Sequence, residues 1–416
     1  MDYIQARNYI NSLTSRGIVP GLESIQALCD ALGNPQNRLK FIHIAGTNGK
    51  GSTGAFLEAV LIKSGMSTGR FISPYVEEYR EMFTLNGGYI SKTDYAECAK
   101  KVRSAVIQLE KSGIYPTSFE AETAIAFLFF EKYSPDYVLL ECGMGGRLDS
   151  TNVILPPVIS IITSVSPDHC AFLGSTVKEI AHEKAGIIKY GSKAVSALQS
   201  ADVAASLTEE CESKGVPLYF ADNISNTKYL TNSTEFTFDG ENYEISLTGA
   251  FQPQNAAAAA ETAKLLGIDS AYIHQGLKEA HWKYRFERVG KYILDGAHNE
   301  AAALMLAKSL QTYISGKRTA FICGCFKDKD YNSIAKITSP FADEVFCISP
   351  PGERGLPCDI LRDAFIQHGA NARSCKSASE AVTLADCYDA VVVFGSLSIL
   401  NEVRRLVSQP VTNHTH

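Results

Sequence analysis

The segment Phe41–Ser52, FIHIAGTNGKGS, constrains the fold more than any other stretch: a short apolar run stops at Gly46 and becomes a glycine-rich loop carrying one lysine. A loop of this kind can hold phosphate. Its glycines let backbone N–H groups crowd against an anion where a Cβ would clash, and Lys50 supplies a point charge. Ser52 can place its hydroxyl on a magnesium ion, and the helix expected over Ser52–Lys63 aims its positive end at the same phosphates. The spacing departs from G-x-x-x-x-G-K-[ST], because only Thr47 and Asn48 separate Gly46 from Gly49 and Gly51 precedes Ser52. Taken alone, the loop competes with a plain glycine turn.

Three further short runs, Gly69–Ile72, Tyr137–Leu140 and Val158–Val165, read as strands. They end at Ser73-Pro74, at Glu141 ahead of Cys142-Gly143-Met144-Gly145-Gly146-Arg147, and at Ser166-Pro167-Asp168-His169. Tyr137–Leu140 is apolar throughout, as in a parallel strand buried on both faces. Ligands of open α/β sheets bind outside the carboxyl ends of the strands, so the loop, Ser73, Glu141 and His169 are expected along one crevice. Serine, carboxylate and imidazole beside a phosphate loop suit magnesium, with histidine the less expected ligand of an oxygen-preferring ion. Singly, Glu141 reads as a solvated strand end and His169 as a satisfied polar group; their common placement at strand ends weakens those readings.

Helical patterns lie before Arg16-Gly17, over Leu22–Leu32 and over Phe119–Tyr133. A further one, Thr176–Lys189, contains Glu179, His182, Glu183 and Lys184, is ended by Gly186, and by itself reads as a charged solvent face. Thr234–Leu247 alternates around Asp239-Gly240, a hairpin signal, and Pro253–Leu266 is an alanine-rich helix in which Asn255 is either a cap or a ligand contact. A boundary falls around Glu279–Val289. Beyond it strands at Tyr292–Leu294, Thr319–Gly324, Glu344–Ile348 and Ala390–Phe394 alternate with helices, the pattern of a second, smaller doubly wound domain. Its first strand ends in Asp295-Gly296-Ala297-His298-Asn299, and Gln409–His416 reads as a frayed tail. The expected fold is α/β: a P-loop-type, mostly parallel-sheet ATPase domain with a small β element over residues 1–284, then a Rossmann-like domain over 285–416.

A length of 416 residues and 45% apolar composition suffice for two cores. The net charge of −6, with no lysine or arginine run, argues against a nucleic-acid partner, so anions must be met by local arrangements. Ala124–Phe130, the longest apolar stretch, is too short to span a bilayer, and Met1–Asn11 lacks signal-peptide character. A cytoplasmic protein is expected. Eleven scattered cysteines, among them Cys142, Cys323 and Cys347, read as reduced thiols, and Cys323-x-Cys325 without a second pair does not suggest zinc.

On these residues the chain resembles the folylpolyglutamate synthase and dihydrofolate synthase family of Mur-type ATP-dependent amide ligases. The resemblance runs through Gly21-Leu22-Glu23, Leu32–Gln36, Gly46–Ser52, Ser73-Pro74, Thr117–Glu120 and GMGGRLDSTN at Gly143–Asn152. It continues through Asp168-His169, Phe172-Leu173-Gly174, Glu183–Gly186 (EKAG), Phe251-Gln252 with Asn255, and DGAHN at Asp295–Asn299. The family's loop looks like GTNGKGS, which accounts for the irregular spacing. Two departures stand out: Tyr75 where the family often has histidine after Ser-Pro, and Lys283-Tyr284 where it often has Pro-Gly before the arginine.

The resemblance implies ligation of L-glutamate to folate through an acyl phosphate, with dihydropteroate as a second acceptor left open. Gly49, Lys50, Gly51 and Ser52 would hold ATP phosphates. Ser52, Ser73, Glu141 and His169 would serve two magnesium ions, with His169 and Lys50 also among the catalytic groups. Lys184 matches a lysine carbamylated by carbon dioxide, which would add a catalytic group and metal ligand. Asn255, Arg285, Asp295 and His298 match positions that contact ATP across the domain interface. Ile18–Glu23 and Thr117–Glu120 are candidates for the folate pocket, and a monomer is expected. A UDP-muramyl peptide ligase and a non-catalytic nucleotide-binding regulator are the alternatives. The first is disfavoured by the mere forty or so residues before the loop, the second by the presence of Lys50 and Glu141.

Overall fold

The computed structural model describes residues 1–408; the expected tail Gln409–His416 lies outside them. Tertiary contacts divide the chain into two compact units. The first comprises Met1–Ser225, Thr237–Tyr243 and Gln254–Ala280; the second comprises Asn226–Phe236, Glu244–Pro253 and the chain from His281 onward.

The first unit holds an eight-stranded sheet. Its strands are β1 (Phe41–Ala45), β2 (Thr68–Phe71), β3 (Phe83–Leu85), β4 (Gly88–Tyr89), β5 (Tyr137–Glu141), β6 (Ile159–Ile162), β7 (Lys193–Ala197) and β8 (Leu218–Ala221). They are ordered β4-β3-β2-β5-β1-β6-β7-β8. All pairings from β2 to β8 are parallel, and β3 and β4 add an antiparallel edge. β1 sits centrally between β5 and β6, with Ile44 opposite both Glu141 and Ile161. Its five residues are all buried, as a strand covered on both faces requires.

The helices of this unit are α1 (Tyr3–Ser12), α2 (Glu23–Ala31), α3 (Lys50–Lys63), α4 (Lys92–Glu110), α5 (Ser118–Tyr133), α6 (Cys170–Leu173), α7 (Val177–Ala185), α8 (Ala201–Ser213), α9 (Gln252–Leu265, from Gln254 onward) and α10 (Ser270–Glu279). One core gathers Ile10, Leu28, Val102, Phe127 and Phe130 from the helices with Phe41, Val138 and Leu140 of the sheet. Another joins Ile162 to Ile180 and Ala181 of α7 and to Val203 and Leu207 of α8. α5 starts where its sequence says it should: Thr117 accepts from the Glu120 amide, and the Glu120 carboxylate returns to the Thr117 amide. The helix Lys92–Glu110 and the β3–β4 edge are absent from the sequence reading, although Ser91 caps the helix by accepting from the Asp94 amide.

The expected hairpin around Asp239-Gly240 forms, with β10 (Thr234–Phe238) and β11 (Glu241–Ile245) joined by β9 (Ile224–Tyr229) in a separate three-stranded sheet. The second unit contains a six-stranded sheet made of β12 (Glu287–Val289), β13 (Tyr292–Leu294), β14 (Thr319–Cys323), β15 (Glu344–Cys347), β16 (Ala372–Ser374) and β17 (Ala390–Phe394). Their order is β12-β13-β17-β14-β15-β16, antiparallel only at β12. Helices packed on it bury Leu306, Leu310, Ile334 and Phe365 against Phe321, Val345 and Val392. Mixed α/β architecture with a large parallel-dominated sheet and a second, smaller one is thus the fold of the chain. All eleven cysteines are free thiols, and no helix among the described residues is long and apolar enough to cross a membrane.

α3 is held in place through α10, where Gly276 leaves no room for a side chain: a Cβ there would stand 2.4 Å from Val60 Cα. Both atoms belong to regular helices and cannot move aside. Gly276→Ala is therefore expected to destabilise the protein by about 1–3 kcal/mol, the usual cost of overpacking, measured as a lowered midpoint of urea unfolding.

Candidate active site

The glycine loop leaves β1 at Gly46 and is fastened from the side of β6. Thr47 N donates to Ser164 O at 2.8 Å, Thr47 Oγ1 to Ser166 O at 2.9 Å, and Thr163 Oγ1 to Asn48 O at 2.7 Å. The turn into α3 occurs at Gly49, whose φ of 91° favours glycine. A Cβ at Gly49 would lie 2.3 Å from Asn255 Oδ1, so the Asn255 amide packs directly on the loop, beside the first turn of α3. Lys50 and Gly51 open that helix, and Ser52 is buried within its first turn.

Two lysines meet at the loop. Lys50 Nζ donates to Gly46 O at 3.2 Å and lies 4.0 Å from Glu141 Oε1. Lys184 Nζ, in the last turn of α7, donates to the same Gly46 oxygen at 3.0 Å, and its side chain is only 4% exposed. Burial, reinforced by the neighbouring Lys50 charge, lowers Lys184 to about 7. Read alone, this helix is a solvated face; the structure instead turns Lys184 inward. The reason lies in the GMGGRLD segment. A Cβ on Gly146 would stand 2.7 Å from Lys184 O, one on Gly186 would stand 2.4 Å from Arg147 Cα, and Arg147 N donates to Glu183 O at 2.7 Å. The two glycine motifs interlock, and that contact carries Lys184 to the loop.

Ser73 and His169 follow β2 and β6, the strands on either side of the β5–β1 pair, on the same carboxyl edge as Glu141 and the loop. The Ser73–Pro74 peptide bond is cis. His169 caps α6 with left-handed backbone (φ 51°), and its Nε2 lies 4.0 Å from Asp168 Oδ1. Among the described residues no group of three or more histidine, cysteine, aspartate or glutamate side chains is placed to hold a metal. Behind Glu141 runs a buried chain that sequence reasoning missed: His43 Nε2 is 2.8 Å from Thr151 Oγ1 and 3.1 Å from Cys142 Sγ. Thr151 Oγ1 donates to Asp149, whose other oxygen accepts from Met144 N at 2.8 Å. Burial drives His43 down to about 3, so the imidazole is neutral and ties β1, β5 and the GMGGRLD loop together rather than acting as a base.

In the second unit Asp295 ends β13 and is buried. Its carboxylate accepts from Phe286 N and from Ala297 N, each at 2.9 Å. Burial raises its pKa to about 6, with Arg285 working the other way. Arg285 Nη1 donates to Tyr284 O at 3.2 Å, and a Cβ on Gly296 would fall on that nitrogen. His298 Nδ1 lies 2.7 Å from Gly296 O. Arg285, Asp295 and His298 thus form one cluster around Gly296. Tyr284 and Phe286, on either side of Arg285, both have left-handed backbone, at φ 59° and 55°.

The "Mur ligase middle domain" family matches residues 44–263, and "Mur ligase, glutamate ligase domain" matches residues 284–397. The dihydrofolate synthase/folylpolyglutamate synthase of Bacillus subtilis (strain 168) is 33% identical over 97% of this chain and 98% of its own length. The chain belongs to that family. It is a ligase of the same class, built on the family's fold. The folylpolyglutamate synthase of Lacticaseibacillus casei is 31% identical over 97% of this chain and 98% of its own. The Mycobacterium tuberculosis folylpolyglutamate synthase, solved with ADP and AMPPCP, superposes with a TM-score of 0.90 at 27% identity, over 98% of this chain and 100% of that one.

The Gly49–Asn255 contact gives a direct test of the loop. Gly49→Ala combines a strained φ with displacement of the Asn255 amide, and is expected to weaken ATP binding at least about tenfold. Asn255→Ala in the same chain removes the collision, so the double variant should lose less stability than the two single losses summed, as read by thermal melts.

Proposed function

We propose that the chain joins L-glutamate to a folate at the expense of ATP, with the nucleotide phosphates at Gly46–Ser52. The observation that carries the reading is the convergence of Lys50 and Lys184 on one carbonyl oxygen beside Glu141, at the N-terminus of α3. A lysine ammonium on a glycine-rich loop at the positive end of a helix, with the Lys184 amine held beside it, makes a receptacle for a polyanion. The names of the related enzymes, and the nucleotides bound in the Mycobacterium tuberculosis structure, support folate and ATP as the substrates.

In the reaction a substrate carboxylate oxygen bonds to the γ-phosphorus of ATP while the bond to the bridging oxygen of ADP breaks, giving an acyl phosphate. The glutamate amine then bonds to the acyl carbon, phosphate leaves, and the amine gives up a proton to form the amide. Such a transfer needs positioning and charge neutralisation more than covalent help. Loop N–H groups orient the phosphates, Lys50 follows the charge on the transferred group, and Asn255 fixes the loop. Arg285, Asp295 and His298 serve the nucleotide as well. Water must be kept from the acyl phosphate, since hydrolysis would waste the ATP.

The donors fit magnesium: Ser52 and Glu141 offer the hard oxygens it prefers, with Ser73 and His169 completing the set directly or through water. When bound, it would neutralise phosphate charge. Glu141→Gln keeps shape and loses a negative charge, so its defect should be relieved at least in part by raised magnesium, followed as phosphate release. A variant indifferent to magnesium would make Glu141 structural.

Lys184 is the site of carbamylation in this reading. At about pKa 7 a large share of the amine is neutral at physiological pH. The neutral amine's lone pair bonds to the carbon of carbon dioxide and one N–H proton leaves, giving an anionic carbamate whose two oxygens would suit a second magnesium ion. Below pH 7 the amine is protonated and carbamate formation slows. Lys184→Ala should lose at least about a hundredfold in turnover, on the scale of a lost transition-state contact, and small carboxylic acids should restore part of it. Full turnover after bicarbonate depletion would exclude the modification.

The catalytic halves correspond to residues 1–284 and 285–416, and the enzyme works as a cytoplasmic monomer. Phosphate release with ATP and magnesium, compared between folate or dihydropteroate plus glutamate and UDP-muramyl peptides, tests the assignment; release only with the latter overturns it.

A further inference from the structure

Lys184 stands near the end of α7, a helix of only nine residues, too short to hold its shape by its own hydrogen bonds. Its start is fixed by reciprocal capping: Thr176 accepts from the Glu179 amide, and the Glu179 carboxylate accepts from the Thr176 amide. Its end is gripped by Arg147. Arg147 N donates to Glu183 O at 2.7 Å and Nη2 donates to His182 O at 3.2 Å, so the two carbonyls just before Lys184 are held by one residue of the GMGGRLD segment. A cation at the end of a helix is also favoured by the helix dipole.

The arginine is held in turn from α8. Nη2 donates to Glu210 Oε1 at 3.0 Å, and the Glu210 side chain is 11% exposed. The same carboxylate meets Lys214 Nζ at 2.6 Å and, through Oε2, His182 Nδ1 at 3.3 Å. Lys214 Nζ also donates to Ile188 O at 2.6 Å. Glu210 thereby gathers contacts to the chain on both sides of Lys184, at His182 and at Ile188. Partly exposed ion pairs contribute little to stability, so holding the fold together is a poor account of three basic groups on one carboxylate. Their common feature is position. Side chains two residues apart on a helix point to nearly opposite sides, so fixing His182 on the outside fixes Lys184 toward Gly46.

We infer that Arg147 and Glu210 are positioning residues for Lys184: from the outer side of α7 they set the rotation of its last turn and so seat the amine at the glycine loop. This rests on the reading that Lys184 is a catalytic group.

Arg147→Ala is expected to lower kcat at least about tenfold while the Kd for ATP, measured by titration calorimetry, moves less than about threefold, since the loop is fastened separately by Thr163, Ser164 and Ser166. Glu210→Ala, which leaves the bonds from Arg147 to His182 and Glu183 in place, should show a smaller drop in kcat, and Arg147→Lys should recover part of what Arg147→Ala loses. The deciding measurement is a double-variant cycle with Lys184→Ala. Where Arg147 acts through Lys184, adding Arg147→Ala to Lys184→Ala should change the remaining rate by less than about twofold, whereas a merely structural arginine would cost about the same tenfold in both backgrounds. That equal loss, or parent-like kcat in folded Arg147→Ala, would overturn the inference. Should Arg147→Ala not fold, Arg147→Lys and Glu210→Ala carry the same cycle under the same two criteria. Parent-like turnover in Lys184→Ala alone would instead overturn the reading of Lys184 as catalytic, and the positioning role with it.

Discussion

One carbonyl oxygen organises the first unit. Gly46 O accepts from both Lys50 and Lys184, which come from the start of one helix and the end of another. Two ammonium groups on one acceptor repel each other, and burial makes the second costly to keep charged. That arrangement persists only because the surrounding backbone leaves the lysines no alternative. The loop is fastened by Thr163, Ser164 and Ser166, and α7 is locked to the GMGGRLD segment by the Gly146–Gly186 contact. A site over-determined in this way holds its charged groups in fixed places. Rigid scaffolding and an unbalanced centre are two views of the same constraint.

The strand ends were legible because they need only local information. An apolar run that stops at glycine, serine or glutamate reveals both the strand and the edge at which it finishes, and β1, β2, β5 and β6 prove to be four neighbours in one sheet. The hairpin at Asp239-Gly240 and the strands Tyr292–Leu294 and Ala390–Phe394 were equally plain. The helix Lys92–Glu110 was legible in principle, since Ser91 caps it and Tyr95, Ala99, Val102 and Val106 line its buried face, but its many charges obscure the stripe. The burial of Lys184 was not legible locally. Its neighbours His182 and Glu183 are polar, and what turns it inward is a backbone contact with residues some forty positions earlier. Periodicity does not report such contacts; only the family resemblance pointed to this lysine.

The second unit solves a comparable problem with side chains. Where the family often has Pro-Gly, this chain has Lys283-Tyr284, and Tyr284 adopts the left-handed backbone that glycine would take without cost. The conformation is supported from several directions. Gly296 N donates to Tyr284 O, Tyr284 N donates to Glu287, and the ring is buried with Arg404 5.9 Å from its centre. Asp295 holds the next left-handed residue by accepting from Phe286 N. The backbone on both sides of Arg285 is thereby fixed, so packing of a buried tyrosine replaces the freedom of a glycine.

A protein of net charge −6 has no long-range attraction to offer a nucleotide polyanion. Its positive groups must act at contact distance, and here they are distributed by depth. Lys50 is partly accessible, whereas Lys184 is buried and poised between its charged and neutral forms. Salt screens exposed charges over roughly 8 Å at physiological strength but reaches buried ones much less. A charge carried below the surface, as on Lys184, therefore depends on the fold around Gly46 rather than on the protein's overall charge.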